Sequence, residues 1–329
     1  MKKKSEPPIG GGGSIGGGGI GGGGQLPQGP DIVKNPDGST TETIKQPDGT
    51  IVETTKHPDG TTIAVESRKD GTRVETKTDN NGNTTAEVKP GKPGTDTTVM
   101  IPTPNKPAPG EVLVIVNADG TEKVVPKSIP GEKGLTFTTD KNVTVKVENR
   151  GKTFTDVPHG YWAEEAITFV TARGLFNGVS ETRFAPNQGM TRGMLAVVLY
   201  NLESNPQYTA NGSFTDVADD TWYKDAALWA AQQGIVNGYS NGNFGANDQI
   251  TREQLAVMLY RYAGSPAVPN LLLDFTDADQ VDSYADSAVR WAVEKGIIGG
   301  KGNGILDPKG TATRTQVAAI LMRFMVSAE

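Results

Sequence analysis

The residues best suited to chemistry are three threonine–arginine pairs: Thr191-Arg192, Thr251-Arg252 and Thr313-Arg314. A threonine just ahead of an apolar helical stripe reads as an N-cap. An arginine in the next position sits at the positive end of that helix, where backbone N–H groups and a guanidinium together suit an anion. A carboxylate on a sugar polymer fits such a site. Trp162, Trp222 and Tyr284 precede the three threonines by one fixed interval and offer faces on which a sugar ring can stack. Gly178, Gly238 and Gly300 follow those aromatics, again at a constant interval, and a glycine lets a ligand approach the backbone closely. Asp156, Asp216 and Asp277, each closing a Phe-Thr-Asp triplet, complete the candidate set. The same residues also have a plainer reading, as capped helices with solvated charges and as core aromatics.

One structural unit used three times must position these residues. The triplets at Phe154, Phe214 and Phe275 open three units of nearly equal length. From each aromatic, an earlier glycine also falls at a constant interval (Gly174, Gly234, Gly296), and the register to the Thr-Arg pair holds without a gap. Each unit reads as two helices joined by a glycine-rich loop. The first helix starts near Ala163-Glu164 in the first unit and is stopped by Gly174. The second follows the threonine: Leu195, Val198, Leu199 and Leu202 recur at helical spacing, as do Leu255, Met258, Leu259 and Tyr262, and Val317, Ile320, Leu321 and Phe324. Gln254 and Gln316 complete capping boxes, whereas Met194 does not. A lone two-helix unit cannot bury its apolar face; three can bury one another's about a pseudo-threefold axis.

The pattern resembles the S-layer homology domain, a cell-wall anchoring module of bacterial surface proteins that usually occurs as three tandem copies. The matching stretches are FTDV, WAEEAITFVTARGLFNG or WYKDAALWAAQQGIVNG, and RFAPNQGMTR or NFGANDQITR, with FTDADQVDSYADSAVRWAVEKGIIGG and ILDPKGTATR in the third copy. The resemblance implies one helix per repeat in a central three-helix bundle, with grooves between neighbouring repeats. It implies binding of a pyruvylated secondary cell-wall polysaccharide, attached to peptidoglycan, through the Thr-Arg motif, the groove tryptophan and the loop glycine; the pyruvate ketal carries the carboxylate. It also implies export and an extracellular, wall-bound location. Repeat one departs from the family pattern with Gly193-Met194 after its arginine, and Gly193 weakens that helix start by roughly 1 kcal/mol relative to alanine. Repeat three departs with Tyr284, with Gly299-Gly300 for Asn-Gly, with Leu306 where Phe184 and Phe244 stand, and with one extra residue between its Phe and its aromatic. Repeat two departs least, so Arg252 and Trp222 rank first as ligand contacts, and the three grooves are not expected to bind equally.

The remaining chain lacks aromatics: Phe137 is the first, and all four Trp and all eight Tyr lie in the C-terminal half. The N-terminal third can therefore hardly build an ordinary globular core. Residues 9–24 are a glycine run, read with the rest of 1–30 as a flexible linker; no Lys-Ser/Thr follows to make it a phosphate loop. In residues 31–88, Gly38, Gly49, Gly60, Gly71 and Gly82 recur with an unvarying period after Asp or Asn, with Thr/Val/Ile/Glu/Lys segments between them. That is turn chemistry joining short strands, expected as an antiparallel meander serving as a β-stalk or spacer, or as a partly ordered one. Residues 89–110 read as a Pro/Gly linker. Residues 111–150 read as a small β module packed near the first helical repeat. Repeats one to three occupy 151–210, 211–270 and 271–329, giving an α+β, multidomain chain whose C-terminal half is all-α.

Several functions fail on composition. Without cysteine there are no disulfides, thiolate metal sites or cysteine nucleophiles. His57 and His159 stand apart in turn-like contexts, so no metal site, cofactor or catalytic residue is assigned and the chain is not read as an enzyme. Asp277, Asp279 and Asp282 lack the glycine and closing glutamate of a calcium loop. Glu164-Glu165 point to different faces of a helix and make no glycosidase pair. Residues 150–329 hold 14 Lys and Arg against 19 Asp and Glu, which is no nucleic-acid footprint; an anionic polymer must be attracted by local arginines. No stretch is long and apolar enough for membrane insertion. Met1-Lys2-Lys3-Lys4 starts like a signal peptide, yet Pro7-Pro8 and glycines follow, which favours a fragment of an exported protein. Two alternatives to glycan anchoring stand: self-assembly, as a protein–protein module of a surface lattice, and service as the anchor fragment of a larger extracellular enzyme.

Overall fold

The computed structural model describes residues 29–209, 212, 214–268 and 272–327; the glycine run at 9–24 lies outside them. Six strands form the expected meander in chain order: β1 (Asp31–Lys34), β2 (Thr40–Lys45), β3 (Ile51–Lys56), β4 (Thr62–Ser67), β5 (Arg73–Thr78) and β6 (Thr84–Lys89). The turns show why the glycine period folds this way. Gly38, Gly49, Gly60, Gly71 and Gly82 all have φ between +84° and +88°, which only glycine adopts cheaply. The aspartate before each of the first four accepts a hydrogen bond from the backbone N–H two residues on, at 2.8–2.9 Å. Each loop is thus a type I turn closed by a glycine bulge.

Residues 89–110 are not a linker. They contain β7 (Thr97–Pro102), in which Val99 and Ile101 are buried while Met100 points out. Period-two alternation inside the Pro/Gly-rich segment is the cause, and Pro102 is tolerated because β7 pairs on one side only, with β11 (Gly134–Thr139). Nor is 111–150 a separate sheet. β12 (Val143–Asn149) pairs with both β6 and β8 (Glu111–Val116), so the meander continues through β12 and β8 to β9 (Glu122–Val124) as one nine-stranded sheet. A three-stranded sheet, β10 (Ile129–Pro130), β11 and β7, packs on it. Val74, Val88, Ile101, Leu113, Leu135, Phe137 and Val145 form the core between them. Small aliphatics from two layers supply the core that sparse aromatics argued against. The far end, β1 to β4, has no buried residue within its strands.

The C-terminal half holds six helices, two per repeat: α1 (Glu164–Ala172), α2 (Arg192–Leu202), α3 (Lys224–Gln232), α4 (Arg252–Tyr262), α5 (Asp286–Glu294) and α6 (Arg314–Ser327). The extra residue of repeat three is absorbed in a 3₁₀ turn at Ala278–Gln280. The helix pairs in contact cross between repeats: α2 with α3, α4 with α5, and α6 back to α1. Trp229 of α3 meets Tyr200 of α2, and Trp291 of α5 meets Tyr260 of α4, with ring centroids 5.6 and 5.5 Å apart. Short bridges at Thr191–Gln249, Thr251–Thr311 and Gly189–Thr313 tie each repeat to the others. One continuous core results.

The two halves dock through repeat one, as the sequence suggested. Arg173, at the end of α1, is 1% exposed and donates to four backbone carbonyls: Ser128, Pro109 and Glu111 of the β region, and Phe169 of its own helix. The same register places Gln233 and Lys295 in the other repeats, so the anchor arginine occurs only where the β region docks.

Candidate functional site

The threonines cap as expected. Thr191, Thr251 and Thr313 accept from the backbone N–H of Met194, Gln254 and Gln316, each at 3.3 Å, and the two glutamines close capping boxes. The helix N-termini, however, are not open anion sites. The first two N–H groups of α2 donate to Asp248 O and Ala246 O of repeat two. Those of α4 donate to Gly310 O and Pro308 O of repeat three, and those of α6 to Gln188 O and Pro186 O of repeat one. Gly193 belongs to this junction: a Cβ there would lie 3.0 Å from Ala246 O, so its weak helix propensity is offset by close approach of the next repeat.

The arginines are also more structural than their position suggests. Arg192, Arg252 and Arg314 are 8%, 5% and 6% exposed. Each Nε donates to a loop carbonyl of the following repeat: Arg192 to Phe244 O (3.1 Å), Arg252 to Leu306 O (2.8 Å) and Arg314 to Phe184 O (2.8 Å). Arg252 and Arg314 add Nη2 bonds to Gly299 O (2.6 Å) and Asn177 O (2.7 Å). Burial pushes the Arg252 guanidinium below its ordinary value and Arg323 pushes the same way, against Asp307 and Asp277. Burial likewise lowers Arg314, opposed by Asp156.

The three aspartates and three glycines build the loops those arginines grip. Asp156 accepts from the backbone N–H of Phe184 and Ala185, Asp216 from Phe244 and Gly245, and Asp277 from Leu306 and Asp307. Phe184, Phe244 and Leu306 are fully buried behind these clamps, which explains why an aliphatic residue can replace the aromatic in repeat three. A Cβ on Gly178, Gly238 or Gly300 would sit 2.7, 2.6 or 2.9 Å from the ring of Phe154, Phe214 or Phe275. These glycines therefore admit their own repeat's phenylalanine. Each of these aspartate oxygens accepts one backbone N–H of its own repeat's loop.

The aromatics are the opposite case. Trp162, Trp222 and Tyr284 are 62%, 63% and 52% exposed, far from the core positions of the plainer reading. Two of them line grooves assembled from all three repeats. One, of about 310 Å³, is walled by Arg252 of repeat two, by Gly300, Lys301, Gln316 and Arg323 of repeat three, and by Trp162 of repeat one. The other, of about 460 Å³, is walled by Arg192 of repeat one, by Gly238, Tyr239, Gln254 and Arg261 of repeat two, and by Tyr284 of repeat three. Arg252 and Trp222, ranked first together, do not share a groove: the Arg252 groove takes its aromatic from repeat one. Glu253 is buried, receives the Tyr284 hydroxyl (3.1 Å) and Lys309 (2.7 Å), and so fixes the rim of the second groove. Burial, and then Glu253, push that hydroxyl up to about 12.

Sequence reasoning missed Arg261, Arg323, Lys301 and Tyr239. The signal was available, since Arg261 and Arg323 stand at the same interval after Thr251 and Thr313, on the helix face that the capping glutamine shares. Neither histidine enters a groove, and no group of residues suited to hold a metal occurs among the described residues. No helix among them is long and apolar enough to cross a membrane.

Three interleaved helical repeats with exposed aromatics and arginine-lined grooves define a repeat-built binding module. Residues 153–193, 213–256 and 274–318 match the S-layer homology domain, and this half of the chain belongs to that family. An amylopullulanase of Thermoanaerobacterium thermosulfurigenes is 32% identical over 174 residues, covering 52% of this chain and 9% of that protein. An exoglucanase of Acetivibrio thermocellus is 31% identical over 179 residues (53% and 16%), and a surface-layer 125 kDa protein of Lysinibacillus sphaericus 31% over 169 (49% and 14%). The chain thus spans only a small part of each of these relatives.

Proposed function

We propose that this chain anchors a surface protein to the bacterial cell wall by holding an anionic, pyruvylated secondary wall polysaccharide in the grooves between its S-layer homology repeats. The observation that carries the reading is the pairing, in one groove, of a half-exposed aromatic with arginines from two other repeats. A sugar ring stacks on Trp162 while its carboxylate meets the guanidinium side of the groove. The matching inter-repeat contacts of α2 with α3, α4 with α5 and α6 with α1 support a pseudo-threefold arrangement of the repeats. The meander acts as a stalk, and Arg173 joins it rigidly to repeat one. Relatives that include both a surface-layer protein and polysaccharide-degrading enzymes fit a shared anchoring half attached to different cargoes. On this reading the described residues work outside the cell, without cofactor or metal, and catalyse nothing themselves.

The test is binding of the full chain to soluble wall polysaccharide before and after mild acid hydrolysis of its ketals. Binding that disappears with the pyruvate supports the reading; undiminished binding refutes it. Protein–protein assembly is the second reading. The exposed edge strand β1, with Ile32 and Val33 63% and 56% accessible, favours it, and it predicts concentration-dependent association without glycan.

A further inference from the structure

The repetition that makes three equivalent arginines does not make three equivalent grooves. At the position after the loop glycine stand Lys301 in the Arg252 groove and Tyr239 in the Arg192 groove; the same register gives Val179 beside Arg314. At the third helical position after the capping threonine stand Gln316, Gln254 and Met194. Two turns further along the same helices, in matching register, stand Arg323, Arg261 and Asn201. Beyond the buried arginines, these matched positions therefore carry two cations in the Arg252 groove, one in the Arg192 groove and none in the register of Arg314.

How far these cations are committed elsewhere also differs. Arg323 is exposed and makes no hydrogen bond or ion pair among the described residues, whereas Lys301 is paired with Asp307 at 2.7 Å. Arg261 makes one long contact, 3.5 Å from Ile235 O. Arg252 has Nε and Nη2 on carbonyls. No carboxylate lines the Arg252 groove, whereas Asp282 lines the Arg192 groove. Asp307 neutralises Lys301, and with Asp277 it also acts on Arg252, so Arg323 is the groove cation with no carboxylate partner among the described residues and is the one an incoming anion can pair.

Building on the proposed function, we infer that the groove walled by Arg252, Arg323, Lys301 and Trp162 is the principal carboxylate-sugar site, with Arg323 as the ligand-contacting cation. The Arg192 groove with Arg261 is a weaker second site. The Arg314 position, with Met194, Asn201 and Val179, contributes no charge-dependent binding. The buried arginines hold the walls in place. Because the principal groove draws on all three repeats, no single repeat forms it.

The test uses the full chain and a synthetic methyl hexoside carrying a pyruvate ketal, titrated calorimetrically as the free acid and as its methyl ester. The parent chain is expected to prefer the acid. Arg323→Gln is expected to lower acid affinity about tenfold, the lower range for a hydrogen bond to a charged group, and to leave ester affinity and the melting temperature unchanged. Arg261→Gln is expected to lose less, and Asn201→Asp nothing. Arg323→Gln binding the acid as the parent does, or losing acid and ester binding alike, overturns the inference while the parent's acid preference keeps the anchoring reading intact. No acid preference in the parent overturns both.

Discussion

Replacing Arg314 by alanine separates a structural arginine from a ligand-binding one. Its Nε and Nη2 hold Phe184 O and Asn177 O at 2.8 and 2.7 Å, residues 130 and 137 positions away, and its guanidinium lies 4.6 Å from the Phe184 ring. A buried hydrogen bond from a charged donor contributes ~1.5–3 kcal/mol, and truncation leaves two loop carbonyls without their partner. A desolvated cation–π contact adds about 1–2 kcal/mol. Arg314→Ala should therefore cost about 4 kcal/mol, within the range for breaking a buried polar network. Arg192, with one Nε bond at 3.1 Å, should cost about half that. Arg314→Lys keeps the charge but not the two-carbonyl bridge, and should recover little. All four tryptophans lie in the helical half, so fluorescence-detected guanidinium unfolding of the full chain reports it selectively. An Arg314→Ala midpoint equal to the parent's would refute this reasoning and return the arginine to the ligand.

Trp162→Ala should leave the unfolding midpoint nearly unchanged, since the ring is 62% exposed, yet weaken sedimentation with walls by about tenfold, as loss of a stacking platform does. Gly178→Ala should destabilise by about 1–3 kcal/mol in the same unfolding assay, because its methyl would collide with Ser180 O and meet the Phe154 ring at 2.7 Å. Arg173→Ala should expose residues 150–155 to limited proteolysis and let the β region move independently; an unchanged digestion pattern would show that the interface does not depend on it. Acid should weaken both halves. Backbone N–H donors hold Asp48, Asp59, Asp70 and Asp277 below the usual carboxylate range. Burial pushes Asp156 up, but the donors from Phe184 and Ala185 outweigh it and bring that carboxyl below the range too. Folded values lower than unfolded ones mean stability that is complete above about pH 4 and is lost as pH falls further, checked by melting curves at pH 7 and below 4.

Much of the helical half was legible because its constraints are local or periodic. Thr251 caps its own helix, Gly174 stops its own helix, and a register repeated three times exposes positions that one copy would hide. The Asp-Gly turns were legible for the same reason. What stayed hidden was long-range. The Arg252 partners lie 47 and 54 residues away, and no spacing rule distinguishes a guanidinium facing a groove from one capping a neighbour's loop. Asp156 and Gly178 carry the family pattern so strongly that they read as ligand contacts, although a carboxylate gripping two N–H groups and a glycine admitting a phenylalanine produce the same recurrence. Strand β7 was masked by flanking prolines and glycines, whose turns lie outside its alternating core. Arg261 and Arg323 escaped because the helix pattern alone reads them as solvated charges.

The most direct test of the anchoring account is co-sedimentation of the full chain with wall sacculi from the bacterium that makes it. Half of the sacculi are stripped of secondary polymer by acid extraction, and Trp162→Ala runs alongside as a folded control. The account predicts pelleting with intact walls, little with stripped walls, and weakened pelleting of the variant. Equal pelleting of the parent chain with intact and stripped walls would contradict it.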